Sequence, residues 1–187
     1  MIRVGVISKG DAGIKAALER LRTGVPTAMK AAAAAMHGEV VEAFRAQRSP
    51  FGEAWAPHSP VTLKLRGQGG LFAGREGGPK KRGAKAAARF LSGAKKLIDK
   101  GTLLSSLSPQ STARTASVTS ALPYASVQNF GAQSNRLPNR SGGNLAPIPA
   151  RPFMMAKREG GREKTVLPDA LKAEIIEMIR VELLRGL

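Results

Sequence analysis

The feature that most constrains this chain is the run Pro-Ile-Pro-Ala-Arg-Pro-Phe at positions 147–153, called the proline arm below. Each proline ring fixes φ near about −65° and lacks an N–H, which excludes a helix and a central strand. Each proline also favours an extended conformation in the residue before it. We therefore expect a stiff, extended segment, with Ile148 and Phe153 as its apolar anchors and Arg151 held where it can reach a partner.

Apolar periodicity predicts helices toward both ends of the chain. Asp11 suits the N-cap of a helix over 12–22, which Gly24 and Pro26 should break or kink, and a longer helix should follow over 26–47. An amphipathic helix is expected over 167–187. The predicted core, taken from apolar stripes and large side chains, is Met29, Met36, Val40, Phe44, Trp55, Leu103, Tyr124, Phe130, Leu171, Ile175 and Ile179.

Predicted β structure is limited to short segments. The β-branched residues at 2–7 suggest a strand, and a hairpin is expected with its turn at 109–112 and its second strand at 114–119. The spacing of Tyr124, Val127 and Phe130 favours one helical turn, closed by Gly131. An extended loop and the proline arm should occupy 132–164. The fold class is therefore predicted as α+β, a single domain over 1–187 with a small antiparallel sheet, a long N-terminal helix, a C-terminal helix and long loops.

Residues 64–96 differ in composition from the rest of the chain, with ten Lys or Arg against Glu76 alone, and eight glycines. We expect a basic, glycine-rich loop, with a short helix over 84–91 at its end. The whole chain carries 30 Lys and Arg against 13 Asp and Glu, a formal charge of +17 that favours a polyanion or an acidic protein surface. A solvated loop remains the alternative. The candidate contacts to DNA or to an acidic partner are Arg75, Lys80, Lys81, Arg82, Lys85 and Arg89.

The sequence offers little to a catalytic or metal centre. It has no cysteine, and His37 and His58 stand apart from acidic clusters. No phosphate-binding loop, dinucleotide fingerprint or metalloprotease motif occurs. We therefore expect no enzyme activity, no cofactor and no metal. The most apolar long stretch, 25–44, contains charged residues, so we also expect no membrane span.

Five motifs, taken in order, resemble the phage virion morphogenesis proteins, the family of the Mu-like G protein and the P2-like tail completion protein. Phe44 with the Ser-Pro-Phe-Gly-Glu-Ala-Trp run at 49–55 is similar to a family turn, and 57–62 to the segment after it. The Leu-Ile-Asp-Lys-Gly-Thr-Leu-Leu-Ser-Ser-Leu run at 97–107 resembles a third motif. Tyr-Ala with Phe-Gly within 124–131 and Ile-Pro-Ala-Arg-Pro-Phe at 148–153 resemble the last two. Gln128-Asn129 and Lys100 depart from the family pattern.

The resemblance implies a structural protein of a tailed phage, at the head–tail junction or the tail end of the virion and assembled in the host cytoplasm. It also implies a homo-oligomeric ring, hexameric or dodecameric, next to portal, adaptor or tail proteins, with DNA in its channel. Two alternatives are a non-specific nucleic-acid-binding protein and a non-structural assembly factor. In a ring, the residues expected at the subunit interface are Ile148, Pro149, Arg151, Pro152 and Phe153.

Overall fold

The computed structural model describes residues 11–68, 83–132, 147–159 and 162–184. The predicted strand at 2–7 lies outside these ranges. The helices and strands of the described residues, numbered along the chain, are α1 (Asp11–Ala46), α2 (Pro60–Gln68), α3 (Ala84–Ser92), α4 (Thr102–Ser105), β1 (Leu107–Ser111), β2 (Ala116–Ser120), α5 (Ala125–Phe130), β3 (Ala156–Glu159), β4 (Arg162–Thr165) and α6 (Asp169–Leu184).

The α+β fold class is confirmed. β1 pairs with β2, and β3 pairs with β4, in two separate two-stranded antiparallel sheets. The described residues divide into two compact units. The first contains residues 11–39, 108–119 and 167–184, and the second contains 40–107 and 120–166 apart from the gaps given above. The single domain over 1–187 stays a prediction.

The predicted break near Pro26 is wrong, because α1 continues through it for 36 residues. A proline inside a helix removes one hydrogen bond and costs about 3 kcal/mol. The alanine-rich sequence after it has the highest helix propensity, and the buried Ala28, Ala32 and Ala33 add packing. These interactions offset the missing bond, so one helix forms where two were expected.

Part of the stretch predicted as a basic loop is helical. α2 runs to Gln68 and α3 begins at Ala84, and 69–82 lie outside the described residues. Ser59 caps α2, because its Oγ accepts the N–H of Thr62 at 3.2 Å, and Pro60 occupies the first helical position, which a proline suits. The sequence therefore carries a helix start signal in this serine and proline, just before the stretch that was predicted as a loop. The helix predicted over 84–91 is confirmed by α3.

The two hairpins had different outcomes. The hairpin β1–β2 is confirmed, although its turn lies at 112–115, where the N–H of Thr112 donates to the carbonyl of Thr115 at 2.8 Å. The loop expected over 132–164 is wrong at its C-terminal end. There β3 and β4 pair in a register that places Glu159 opposite Arg162, on either side of two glycines in the sequence. Two adjacent glycines between possible strands are a hairpin signal in the sequence, which the high charge of the segment concealed.

Most predicted core residues are buried in the described structure. In the first unit these are Met36, Leu171 and Ile175, and in the second Val40, Phe44, Trp55 and Leu103. Met29, Phe130 and Ile179 are only half-buried. The prediction for Tyr124 is wrong, since its side chain is 44% exposed. The buried face of α5 is formed by Ala125 and Asn129, four residues apart, so the helix is rotated from the face that the aromatic spacing indicated.

Candidate binding site: the proline arm and its cleft

Three aromatic rings hold the end of the proline arm within the second unit. Phe153 is 0% exposed, and its ring centroid lies 5.3 Å from that of Phe44. Phe44 also packs edge-on against Trp55, with centroids 5.3 Å apart and ring planes at 79°. The indole Nε1 of Trp55 donates to the carbonyl oxygen of Pro152 at 2.6 Å. The rings therefore bury apolar area and satisfy the one polar group among them.

Arg151 links the arm to the segment before α2. Its Nε donates to the carbonyl of Ala56 at 2.9 Å, and its Nη2 donates to the carbonyl of Pro57 at 2.7 Å. The arginine fork therefore binds two consecutive backbone oxygens that neither a strand nor a helix satisfies. Only 7% of the residue is exposed. This geometry gives Arg151 a structural role in its own chain.

Asn129 of α5 binds the end of the arm through one oxygen. Its Oδ1 accepts the backbone N–H of Phe153 and that of Met154, each at 2.9 Å. Asn129 is buried, and within the described residues its Nδ2 has no hydrogen-bond partner. Next to it, the carbonyl of Gln128 accepts the N–H of Arg151 at 2.9 Å. Asn129 was missed because a polar residue on a buried face breaks the apolar pattern on which the prediction depended.

The turn after α5 brings the chain against the start of the arm. Ala132 and Ile148 exchange two backbone hydrogen bonds, both 2.9 Å long. Gly131 directly follows α5 and precedes Ala132. It has φ 73° and ψ 176°, a conformation essentially restricted to glycine. A Cβ at this position would lie 2.8 Å from the nitrogen of Ala150 and from the carbonyl oxygen of Ile148. Only glycine therefore permits this close approach of the two backbones.

These contacts bury the side chains of Arg151 and Phe153 against residues of their own chain. Because the prediction placed them at a subunit interface from the sequence of the arm alone, it could not distinguish an outward contact from an inward one. Pro149 is exposed, and Ile148 and Pro152 are half-buried. Their place at an interface stays a prediction.

A cleft opens beside the arm, and we call it the arm cleft. Its volume is about 690 Å³, and it lies within the second unit. One part of its wall is cationic and another apolar, with a single carboxylate, that of Asp99. The lining residues are His58, Ser59, Thr62, Arg66, Leu97, Asp99, Lys100, Gly101, Thr102, Leu103, Tyr124, Gln128, Pro147, Ile148, Pro149 and Arg151.

The positive charges of the arm cleft affect one another. Burial and the charges of Arg66 and Arg151 lower the pKa of His58 below its usual value of 6.5. Burial, followed by the nearby Arg66, also lowers the pKa of Arg151. The Nη1 of Arg66 lies 3.3 Å from Nε2 of His58, so a neutral His58 can accept this hydrogen bond. Burial and the nearby positive charges therefore favour the uncharged form of the His58 imidazole.

The turn after α1 holds the segment that leads into the Leu97 wall of the arm cleft. Gln47 has φ 58°, and its side-chain amide binds the backbone of Lys96 through both Nε2, at 3.2 Å, and Oε1. Leu97 next to it also has φ 58° and lines the arm cleft. A second cavity of about 510 Å³ is lined by Gln47, Lys96 and others. No sequence pattern indicates the hydrogen bonds between Gln47 and Lys96, because the two residues are 49 positions apart.

The candidate polyanion contacts are only partly described. Lys85 and Arg89 are exposed on α3, whereas Arg75, Lys80, Lys81 and Arg82 lie outside the described residues. Among the residues that the structure describes, no three His, Asp or Glu side chains form a group that could hold a metal ion. Nor is any helix in the described ranges both long enough and apolar enough to cross a membrane.

Comparison with known families identifies the class of protein that these motifs and this fold define. Residues 11–173 match the model of the phage virion morphogenesis family. The chain belongs to this family. Its role is therefore structural, in the assembly of a phage particle. The comparison with curated proteins and the comparison with solved structures each gave no match.

Proposed function

We propose that this chain is a ring-forming structural protein of a tailed phage, located at the head–tail junction or at the end of the tail. The observation that carries the proposal is the family match over 11–173, which includes the arm and most of the elements packed on it. A ring of identical subunits needs two different surfaces on each subunit, because its contacts run head to tail. It would be assembled in the host cytoplasm and remain in the virion.

Exposed apolar residues on two helices of the first unit support self-association. Leu18 on α1 is 59% exposed, and on α6 Ile176 is 56%, Val181 52% and Leu184 51% exposed. The three residues of α6 lie outside the face that carries the buried Leu171 and Ile175. Several exposed large apolar side chains on one helix indicate an interaction surface. A second copy of the chain would remove these side chains from water.

The oligomer can be tested by sedimentation of the purified protein at several concentrations. We expect a mass of six or twelve subunits, and we expect Ile176→Asp with Val181→Asp to shift it toward the monomer. Ala113→Asp is the matched control, because Ala113 is exposed in the turn between β1 and β2. A monomer at every concentration, or equal effects of the test and control variants, would contradict the proposed ring.

The basic residues support a contact with a polyanion, either DNA in the channel of the ring or an acidic neighbour such as a portal or tail protein. Lys85 and Arg89 project from α3, which has no buried residue. The net charge of the chain is +17. This charge is also the observation that supports a second candidate function, a non-specific nucleic-acid-binding protein. Binding of DNA of arbitrary sequence at two salt concentrations tests both, because phosphate contacts weaken steeply with salt.

A further inference from the structure

The arm cleft combines two surfaces that one ligand could use together. Arg66, Lys100 and Arg151 give it three cations against the one carboxylate of Asp99. The ion pairs of Arg22, Arg45 and Arg180 each lie along a single helix, and none of these three pairs involves Lys100 or Arg151. The apolar wall includes Leu103, Ile148 and the ring of the half-exposed Tyr124. The cleft therefore has an excess of positive charge beside apolar surface.

We propose that the arm cleft binds an extended, acidic segment of another protein chain. A carboxylate of the segment would lie toward Lys100 and the guanidinium groups, and a neighbouring apolar side chain would pack against Ile148 and Tyr124. Only the identity of the partner, an adjacent virion protein, rests on the proposed structural role. The binding of an acidic segment is argued from the cleft alone.

Charge complementarity and the shape of the cleft favour a peptide over a nucleic acid. DNA is held through its phosphates by basic side chains, and the apolar wall would contribute nothing to such contacts. A volume of about 690 Å³ lies within the range of cavities that enclose a small ligand, and it suits a few residues of an extended chain rather than a duplex. An acidic peptide uses both walls, because its side chains alternate in direction.

The wall from Leu97 to Leu103 is formed before any partner arrives. Both Leu97 and Gly101 have positive φ, at 58° and 78°, and Gly101 precedes α4 directly. On the facing side, the arm is held by the hydrogen bonds of Arg151 and by the backbone pairing of Ile148. A preformed cleft loses little entropy on binding, which raises the affinity for a short segment.

The test measures fluorescence anisotropy of a labelled octapeptide in which aspartate alternates with leucine, added to the full-length protein. Two octapeptides of the same pattern serve as comparison probes, one with lysine in place of aspartate and one with serine in place of leucine, together with a short DNA duplex. The variants are Lys100→Glu, which reverses a charge of the cleft, and Tyr124→Ser, which removes apolar wall. Lys172→Glu, an equal charge change at an exposed position of α6, is the control.

Of the three peptides, we expect only the aspartate–leucine peptide to bind with high affinity, and we expect its binding to weaken with salt. Lys100→Glu should weaken it about tenfold and Tyr124→Ser about threefold, while Lys172→Glu should change it less than about twofold. Both cleft residues are exposed, and circular dichroism of each variant checks that it is folded.

Three results would overturn the proposal: no binding of the aspartate–leucine peptide, equal losses in Lys100→Glu and Lys172→Glu, or complete competition by the DNA duplex. The last would assign the cleft to phosphate. Sedimentation of the same samples separates this proposal from the proposed ring. A wild-type ring that does not bind the aspartate–leucine peptide refutes only the cleft proposal, whereas specific peptide binding by a strict monomer refutes only the ring.

Discussion

Replacing Arg151 by methionine tests whether the proline arm is held from within its own chain. Methionine keeps most of the aliphatic stem but removes the donors to the carbonyls of Ala56 and Pro57. A hydrogen bond from a charged donor contributes about 1.5–3 kcal/mol. The burial of the guanidinium and the repulsion from Arg66, which lower the pKa of Arg151, offset part of this gain. We expect Arg151→Met to reduce the free energy of unfolding by about 2–4 kcal/mol.

The assay is urea denaturation followed by the fluorescence of Trp55, the only tryptophan of the chain, at a fixed protein concentration. Trp55 reports on the arm directly, because its indole donates to the carbonyl of Pro152. Arg151→Lys should fall between wild type and Arg151→Met, since an ammonium group cannot reproduce the arginine fork. Lys100→Met, which removes a charge at an exposed site of the same cleft, should change stability by less than about 0.5 kcal/mol.

A loss below about 1 kcal/mol in Arg151→Met, or an equal loss in Lys100→Met, would refute the reasoning. The first result would mean that water satisfies the two carbonyls as well as the guanidinium does. The second would mean that the charge of this region, and not the two directed hydrogen bonds, determines the effect.

Three further substitutions test other contacts of the arm. Gly131→Ala should destabilise the chain by about 3 kcal/mol or more, because φ 73° with ψ 176° excludes other residues and a Cβ would lie 2.8 Å from backbone atoms. Thermal unfolding measures this loss, and a wild-type melting temperature would contradict the prediction. Asn129→Ala should lower the free energy of unfolding by about 2–4 kcal/mol, because it leaves the N–H groups of Phe153 and Met154 without an acceptor. Urea denaturation measures this loss, and a neutral effect would show that water replaces the amide. For His58 the folded pKa is lowered, so the unfolded chain binds the proton more tightly and stability falls as pH decreases through about 6.5. His58→Gln should flatten this part of the stability–pH curve, and an unchanged slope would contradict the assigned environment.

The sequence predicts the arm, the fold class and the family because these depend on local rules. Prolines at 147, 149 and 152 impose an extended segment wherever it lies, and the ordered motifs can be recognised without any contact being known. The orientation of the arm depends instead on partners far away along the chain. Arg151 binds carbonyls 94 and 95 residues away, and Phe153 binds an amide 24 residues away.

The wrong predictions share a different cause, which is that packing and caps outweigh residue propensity. Pro26 is accommodated inside α1 because a long helix supplies enough other interactions. Tyr124 is exposed because α5 turns Asn129 inward to bind the backbone of the arm. α2 begins at Pro60, where a preceding serine cap makes a proline favourable. For Tyr124 and for α2 the deciding groups, Asn129 and Ser59, are polar, and an apolar pattern does not register them.

Imaging the finished particle tests the central claim most directly. In an electron cryomicroscopy reconstruction of the virion, we predict that this chain occupies six or twelve symmetry-related positions at the head–tail junction or at the end of the tail. Within each copy, the ring of Phe153 should pack against Phe44 of the same subunit, as it does here. Particles that lack the chain, or that hold it in positions unrelated by rotational symmetry, would contradict the proposed ring.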